Sequence, residues 1–435
     1  MIRAVANHQK SMKAKPLFSI VAFYQRLLVT CSCVLFFAVS GEARTWTSPD
    51  GAKTFEGELK SYDPESGVVS VLLSNGKILK FPQVKVSAAD NAFLKKQGKV
   101  DANAPAPSKS VITDTAEEQL LERSDGKPAD MKKPVQVFIL LGQSNMVGLG
   151  KVAGADFSLE NAVKTKSKYG YLVEEDGSWH ERKDVRFVQY MQSKGMLKNE
   201  WMKVTGRTMG PEYGIGHPLG NAIDAPVMIL KSCIGNRSLG WDLLPPGSEP
   251  YEHGGKTQPG YRGTPGNPKG NGEKVEGEWY AGKQYDDDVE DAKKALAELS
   301  KHYPEAEKYE VAGFFFWQGE KDCGNAAHAD KYEENLVRFI QQLRKDFEAP
   351  NAKFVMGTLG ESKKGCGGNG EKVFDAQMAV GGKSSKYPEF QGNVATVFTN
   401  PMAQGGSGNG HYGGKAEVYM DVGEAMGKAM IELLK

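Results

Sequence analysis

The sequence predicts an α/β fold with a mainly parallel sheet. From residue 134 onward, short apolar runs alternate with longer stretches of helical periodicity, which is typical of parallel strands joined by crossover helices. A sheet covered on both faces is expected from such a pattern. The predicted strands are Val135–Leu141, Val227–Leu230, Val311–Phe316, Lys353–Gly357 and Val394–Phe398, and the predicted helices are Asp286–Lys301, Asp330–Phe347 and Ala416–Leu434.

Residues 44–98 predict a separate small β-domain. Two of its strand-like runs, Val68–Leu73 and Lys77–Phe81, are separated by Ser74-Asn75-Gly76, and Asn-Gly between apolar runs is a strong hairpin signal. The segment resembles the Sla homology domain, an SH3-like β-barrel found at the front of exported bacterial proteins. The resemblance implies a protein or surface ligand without naming it.

Two other segments lack regular patterning. Residues 99–133 are predicted to be a linker, because Ala102–Ser108 is rich in Pro and Ala and the following residues are charged. The larger domain is then expected over 134–435. Within it, the Gly- and Pro-rich residues 242–284 are expected to form an insertion that carries substrate specificity.

The N-terminus predicts export. Basic residues precede the apolar run Leu27–Val39, which is too short to span a bilayer comfortably. Residues 1–43 are interpreted as a signal peptide cleaved after Ala43, with Met12 as an alternative start and an uncleaved anchor as the other reading. The protein is therefore expected in the periplasm or outside the cell.

Charge and cysteine content exclude several classes of protein. The chain of 435 residues has 55 Lys and Arg against 54 Asp and Glu, so no broad basic face for nucleic acid is expected. Outside the leader, Cys233 is expected to be a buried thiol, and a Cys323–Cys366 disulfide is weakly favoured because both lie in Gly-rich loops. No Cys and His cluster has metal-ligand spacing, so neither a metal nor another cofactor is expected.

The strand Val135–Leu141 leads directly into Gly142-Gln143-Ser144-Asn145-Met146. A serine after such a strand projects beyond the carboxyl end of the sheet, where backbone N–H groups of the next helix point at an oxyanion. This is how a nucleophile is presented. The alternative is a serine that only caps a helix.

Four segments together carry a family resemblance. Gly142–Met146, Ser232–Leu239, Trp317–Asp322 and finally His411 before a closing helix follow the order seen in SGNH-type esterases. Within that superfamily, residues 134–435 resemble the sialate O-acetylesterase branch of carbohydrate esterases. The resemblance implies a three-layer, flavodoxin-like sheet and an enzyme that removes O-acetyl groups from carbohydrates.

The resemblance assigns roles to single residues. It makes Ser144 the nucleophile and His411 its base. Gly235 matches a backbone donor to the oxyanion and Gln318 a side-chain donor. The competing base is His217, although a lone histidine more often packs than catalyses.

Residues beside these motifs are candidates for substrate binding. Asn145 and Arg237 are assigned this role, and a surface salt bridge is the alternative for Arg237. Asn236 stands where many relatives have a second glycine, and asparagine tolerates the left-handed backbone conformation.

One departure concerns the acid that orients the histidine. Relatives usually have an aspartate three residues before it, where this chain has Gly408. Glu320, Asp322 and Glu417 are the candidate replacements, and a backbone carbonyl or a Ser–His dyad are the alternatives. Each acid also has a structural reading: Glu320 braces its loop, for example, and Glu417 favours a helix start.

The resulting hypothesis is a serine esterase that forms an acetyl-Ser144 intermediate on sialic acid or on a polysaccharide such as acetylxylan. The acetylated carbohydrate is its expected partner. The alternative, suggested by the missing aspartate, is a non-catalytic carbohydrate-binding or surface-docking protein on a degenerate esterase fold.

Overall fold

The computed structural model describes residues 44–63, 67–73, 77–97, 121–191, 194–262, 264, 279–381, 386–403 and 410–435. The chain divides into two compact units, residues 1–109 and 110–435. The expected signal peptide, the 74–76 turn and Gly408 lie outside the described residues, as do residues 98–120 of the expected linker.

The smaller unit contains the first four strands and the first helix of the described residues, and strands and helices alternate through the larger unit. The strands are β1 (Arg44–Thr47), β2 (Thr54–Asp63), β3 (Val68–Leu73), β4 (Ile78–Pro82), β5 (Val135–Gly142), β6 (Gly150–Lys151), β7 (Val185–Met191), β8 (Gly195–Trp201), β9 (Thr208–Met209), β10 (Val227–Ser232), β11 (Tyr251–His253), β12 (Lys256–Gln258), β13 (Tyr309–Trp317), β14 (Lys353–Gly357) and β15 (Val394–Val397). The helices are α1 (Ala88–Gln97), α2 (Ser144–Val147), α3 (Leu159–Lys164), α4 (Glu212–Ala222), α5 (Lys283–Ala297), α6 (Leu299–His302), α7 (Glu320–Cys323), α8 (Ala326–Asp346), α9 (Gly368–Val380) and α10 (Ala416–Leu434).

The N-terminal unit is an antiparallel sheet in the order β1-β2-β3-β4. Trp46 is fully buried and donates its indole N–H to the Gly57 carbonyl at 3.0 Å. Within the described part of this unit, β1 and β4 do not pair, so the sheet is not the closed barrel that the sequence predicts. The chain continues into α1 instead, and Asp90 of that helix binds Arg44 of β1 at 2.6 Å.

The large sheet has the order β15-β14-β13-β5-β10-β7-β8. Its pairs are parallel except β7 with β8, which confirms the mainly parallel sheet. When β7 and β8 are left out, the sheet is β10-β5-β13-β14-β15. Numbered along the chain, these strands have the order 2-1-3-4-5, a doubly wound order that reverses beside the first strand, β5. Ligands of such sheets bind outside the carboxyl ends at this reversal, which lies here at the end of β5.

Helices cover both faces of this sheet. Val135, Val137 and Ile139 of β5 pack in a core with side chains of α5, α8 and α9. The alternate residues Phe138 and Leu140 pack in a second core with α4 and α10. Since successive strand residues point to opposite faces, β5 is buried on both sides and the unit has three layers.

The helix bounds follow local signals. The helix predicted over Ala416–Leu434 has those bounds in the structure. The helix predicted from Asp330 begins at Ala326, because the Asn325 side chain accepts the N–H of Ala327 at 2.9 Å and so caps its first turn.

Residues 121–133 belong to the larger unit, although the sequence predicts a linker there. The Glu122 carbonyl accepts from Asn221 at 2.7 Å. Ser124 Oγ lies 2.7 Å from His180 Nε2, and the Lys133 ammonium binds Asp224 at 2.7 Å.

The cysteines of the described residues are free thiols. The weakly favoured Cys323–Cys366 disulfide is therefore not formed: Cys323 lies in α7, whereas Cys366 is exposed in the loop before α9. Cys233 is buried, as predicted. No helix among the described residues is long and apolar enough to cross a membrane.

Candidate active site

Ser144 is the first residue of α2, directly after the reversal at β5. We call residues 142–148 the nucleophile turn, after the role that the sequence predicts for Ser144. Gly142 has φ 144°, and a Cβ on it would lie 2.5 Å from the Trp317 carbonyl, so only glycine fits there. The half-exposed Ser144 thus projects beyond the carboxyl end of β5.

The loop after β10, residues 233–241, runs beside Ser144. A Cβ on Gly235 would lie 3.5 Å from the Ser144 Cβ, so the backbone at Gly235 passes close to the serine. The next residue, Asn236, has φ 60°, the left-handed conformation that asparagine tolerates. Backbone N–H groups so close to a nucleophile are suited to binding an oxyanion.

Asp322 fastens this loop. Its carboxylate accepts the N–H groups of Leu239 at 2.9 Å and Gly240 at 2.8 Å. Burial raises the pKa of Asp322 to about 6, against the lowering effect of these hydrogen bonds and of Gln318. These contacts brace the loop and leave Asp322 engaged away from His411.

Gln318 is fully buried and its amide is already bonded. Its Nε2 donates to Asp322 Oδ2 at 2.5 Å and to the Arg237 carbonyl at 2.9 Å, while its Oε1 accepts from Tyr332 at 2.9 Å. Donation to an oxyanion would require the amide to release one of these partners.

Glu320 holds the residues on both sides of Ser144. Its carboxyl accepts from Gln143 Nε2 at 2.5 Å and from Asn145 Nδ2. Burial, with the charge of Glu361 acting in the same direction, raises the pKa of Glu320 to about 8. Glu320 is therefore a clamp across the nucleophile turn, and its raised pKa favours the protonated form.

His411 begins a 3₁₀ turn over His411–Gly414. It has φ 55° and Tyr412 has φ 57°, and consecutive non-glycine residues in the left-handed region store strain of a kind found at functional sites. Tyr412 accepts from Asn145 Nδ2 at 2.9 Å, so this turn is joined to the nucleophile turn. Among the described residues, the His411 imidazole makes no hydrogen bond, either to Ser144 or to an acid.

Glu417 and His217 have other partners. The Glu417 carboxylate binds Lys166 and Lys168, the latter at 2.7 Å. Burial alone would raise the pKa of Glu417, but both lysines together bring it below its ordinary value. His217 is buried in α4, its ring centroid 4.9 Å from that of Tyr171, and burial lowers its pKa well below the ordinary value.

The two predicted substrate-binding residues differ in exposure. Asn145 is buried and occupied by Glu320 and Tyr412. The Arg237 guanidinium lies 4.1 Å from the ring centroid of Trp279, and its Nε is 3.9 Å from Asp242 Oδ1. Arg237 with Trp279 therefore presents a cationic and aromatic surface two residues from Gly235.

Sequence reasoning missed Lys231 and Tyr412, which form hydrogen bonds with the nucleophile turn, and Glu212, the partner of Lys231. It also missed Glu361, which acts on the charge of Glu320. A signal for Glu361 was present, because it follows the carboxyl end of β14 and parallel strands end at one edge. In the described ranges, no group of three or more His, Cys, Asp and Glu is placed to hold a metal ion.

Residues 269–432 match the family described as carbohydrate esterase, sialic acid-specific acetylesterase. The matched region contains Gln318, Glu320 and His411, whereas Ser144 and Gly235 precede its first residue. The match supports an esterase that acts on an acetylated carbohydrate. A comparison with curated proteins gave no match.

Three solved structures are similar to the chain. A protein from Arabidopsis thaliana is 18% identical, with 68% of this chain and 98% of that chain covered and a TM-score of 0.41. A carbohydrate acetylesterase from Xanthomonas citri is 15% identical, with 90% and 68% covered and a TM-score of 0.40. NanS is 14% identical, with 63% and 79% covered and a TM-score of 0.33.

Proposed function

We propose that this protein is a serine esterase that removes O-acetyl groups from carbohydrates. The observation that carries the proposal is the close approach of the Gly235 backbone to Ser144 at the carboxyl end of β5. This approach supports backbone donation to an oxyanion at the reversal of the sheet, where such sheets bind ligands. The Asn145–Tyr412 hydrogen bond brings the segment of the candidate base to the same edge.

The reaction proceeds in two halves. Ser144 Oγ attacks the acetyl carbonyl carbon while His411 takes the hydroxyl proton, and backbone N–H groups near Gly235 bind the oxyanion. His411 then returns the proton to the sugar oxygen, which leaves as the acetyl-Ser144 ester forms. Water, deprotonated by His411, attacks this ester; the bond to Ser144 Oγ then breaks, His411 returns the proton to Ser144 Oγ, and acetate is released. His411 reaches Ser144 only in the substrate complex, since catalytic hydrogen bonds are often loose before substrate binds.

Of the three candidate acids, Glu320 is assigned to positioning in this proposal. Through Asn145 it is connected both to Ser144 and to Tyr412, the neighbour of His411. Asp322 and Glu417 are assigned to bracing, since their carboxylates are bound to the loop after β10 and to lysines.

Arg237 and Trp279 are proposed to contact the sugar. Aromatic rings bind sugar faces, and a guanidinium binds hydroxyl or carboxylate oxygens in a fixed geometry. The substrate is proposed to be an O-acetylated sialic acid or polysaccharide. Residues 1–43 are proposed to direct export, and the N-terminal β-unit to dock on a protein or surface ligand.

The test is acetate release by the purified full chain. An aryl acetate reports the chemistry alone, whereas O-acetylated sialic acid and acetylxylan report the substrate. We expect turnover on the aryl acetate and on one of the glycans, and none by a folded Ser144→Ala variant.

The second candidate function is carbohydrate binding without catalysis. It is favoured by the engaged amide of Gln318 and by the lack of a hydrogen bond between Ser144 and His411 within the described residues. Binding of acetylated glycans in calorimetry, without any acetate release by the wild-type protein, would establish this function in place of the esterase.

A further inference from the structure

A buried ion pair lies beneath the nucleophile turn. Lys231, near the end of β10, and Glu212, at the start of α4, are both almost completely buried. The Lys231 ammonium donates to Glu212 Oε2 at 2.8 Å, to the Met146 carbonyl at 3.2 Å and to the Val147 carbonyl at 3.0 Å. All three of its protons are thus used.

The two carbonyls belong to the last residues of α2, the single turn that Ser144 begins. Such a short helix leaves its final carbonyls without intrahelical partners, and a cation at this end also suits the helix dipole. The Lys231 ammonium supplies the missing donor. Its position therefore fixes the end of the turn whose first residue is Ser144.

Glu212 fixes the other side of the same turn. Its two carboxylate oxygens accept the Gly210 N–H at 3.1 and 3.0 Å. Gly210 in turn packs against Gly148, where a Cβ would lie 2.1 Å from the Gly210 nitrogen. The ion pair thus connects β10 and α4 to both the carbonyls and the closing glycine of the nucleophile turn.

Stability alone does not account for such a pair. A buried ion pair can often be replaced by uncharged residues of similar volume at no cost in stability, because desolvation offsets the attraction. A fully buried lysine within a parallel strand also breaks the apolar pattern of that strand, and such breaks concentrate at functional sites.

We infer that the Lys231–Glu212 pair is a positioning device that holds the nucleophile turn in the geometry needed by Ser144. The inference rests on the proposed esterase function. It assigns Lys231 and Glu212 no contact with the substrate, so their removal should lower kcat and leave KM nearly unchanged.

The test uses the full chain with Lys231→Met and Glu212→Gln combined, which removes both charges while keeping side-chain size. We expect thermal stability close to that of the wild type, a loss of at least about tenfold in kcat on an aryl acetate, and little change in KM. Hydrogen exchange followed by mass spectrometry should show faster exchange in a peptide covering 142–150 and unchanged exchange in β14.

The matched control is a second ion pair, the fully buried Arg182 with the half-buried Asp184, which precedes β7 at the amino-terminal end of the sheet. Arg182→Met combined with Asp184→Asn makes the same change of charge away from the turn. This control should keep the wild-type kcat and the wild-type exchange of the 142–150 peptide.

Wild-type kcat and wild-type exchange in the Lys231→Met and Glu212→Gln double variant would overturn the inference. If the double variant does not fold, Glu212→Gln alone decides, because it keeps the lysine and an acceptor oxygen: we expect lower kcat at constant KM, and wild-type values would again overturn the inference. If the wild type releases no acetate, the esterase proposal fails, while the exchange of the 142–150 peptide still decides the positioning role.

Discussion

Two serine–histidine pairs in the larger unit differ in their hydrogen bonds and in their position in the fold. Ser124 Oγ lies 2.7 Å from His180 Nε2, and His180 Nδ1 lies 2.5 Å from Glu174 Oε1, which is a complete Ser–His–Glu chain of hydrogen bonds. Within the described residues, Ser144 and His411 share no hydrogen bond. Hydrogen bonds alone would select the first pair as the active site.

The surroundings reverse that choice. Ser124 lies in an irregular segment, and the Glu174 side chain is 42% exposed, so this chain of hydrogen bonds holds residues 121–133 on the unit. Ser144 instead lies at the reversal of the sheet and close to the backbone at Gly235, and the Asn145–Tyr412 hydrogen bond joins its turn to the segment of the strained His411. An active site needs a place for the reacting atom and donors for its charge, so the position of Ser144 favours the second pair as the candidate site.

The largest expected effect comes from replacing the serine of each pair by alanine. Ser144→Ala should reduce turnover on an aryl acetate by several orders of magnitude, because the nucleophile is removed. Ser124→Ala should keep wild-type turnover. Initial rates of acetate release by both folded variants are the measurement, and loss of activity in Ser124→Ala with retention in Ser144→Ala would reverse the assignment.

The histidines provide the second test. His411→Ala should lose nearly as much turnover as Ser144→Ala, because members of one catalytic unit are strongly non-additive. His180→Ala should retain turnover, and His217→Ala should affect folding more than chemistry, since His217 is buried in α4. Steady-state kinetics together with thermal melts separate these outcomes, and a fully active His411→Ala would exclude the turn over His411–Gly414 from the site.

Glu320→Gln should have an intermediate effect. The new amide N–H groups would face the donors of Gln143 or Asn145, and an unsatisfied buried donor costs about 1–3 kcal/mol. Where this cost falls on the transition state, it lowers kcat roughly 5- to 150-fold. Wild-type kcat in this variant would show that the clamp does not position Ser144.

The same variant has a pH signature. Since folding raises the pKa of Glu320 from 4.5 to about 8, the folded state holds a proton that the unfolded state loses, and wild-type stability falls as pH rises between these values. Glu320→Gln removes this dependence of stability on pH. The melting temperature of the variant should therefore rise relative to that of the wild type from about pH 5 to about pH 8. Parallel slopes would place the ionisation of Glu320 outside this range.

The smallest effect is expected in the hydrogen-bonded chain of Ser124, His180 and Glu174. The His180 hydrogen bond lowers the pKa of Glu174. The hydrogen bond therefore stabilises the folded state at pH values above the ordinary pKa of a glutamate, and this stabilisation is lost as the pH falls through the lowered pKa. Glu174→Gln should leave kcat unchanged and increase proteolytic cleavage within residues 121–133. Unchanged cleavage would show that these hydrogen bonds do not hold the segment.

Several elements followed from local sequence and others did not. The helix over Ala416–Leu434 has a clear apolar period and was predicted with its bounds. The helix α4 was missed, because Gly214, Gly216 and Pro218 resemble a loop. Those glycines allow close packing instead: a Cβ on Gly214 would lie 2.9 Å from the Gly423 Cα of α10. The antiparallel β7–β8 hairpin and the glycine-rich start of α9 were also missed.

By itself, the sequence determined the mainly parallel sheet and the delivery of Ser144 at the end of β5, because strand period, glycine and turn chemistry are local properties of the chain. Only the tertiary structure decided which acids meet which partners. Asp322 binds the loop after β10, Glu417 binds lysines, Glu320 spans the nucleophile turn, and Lys231 lies beneath it. Contacts between residues so distant along the chain depend on how the layers pack, and no local pattern encodes that packing.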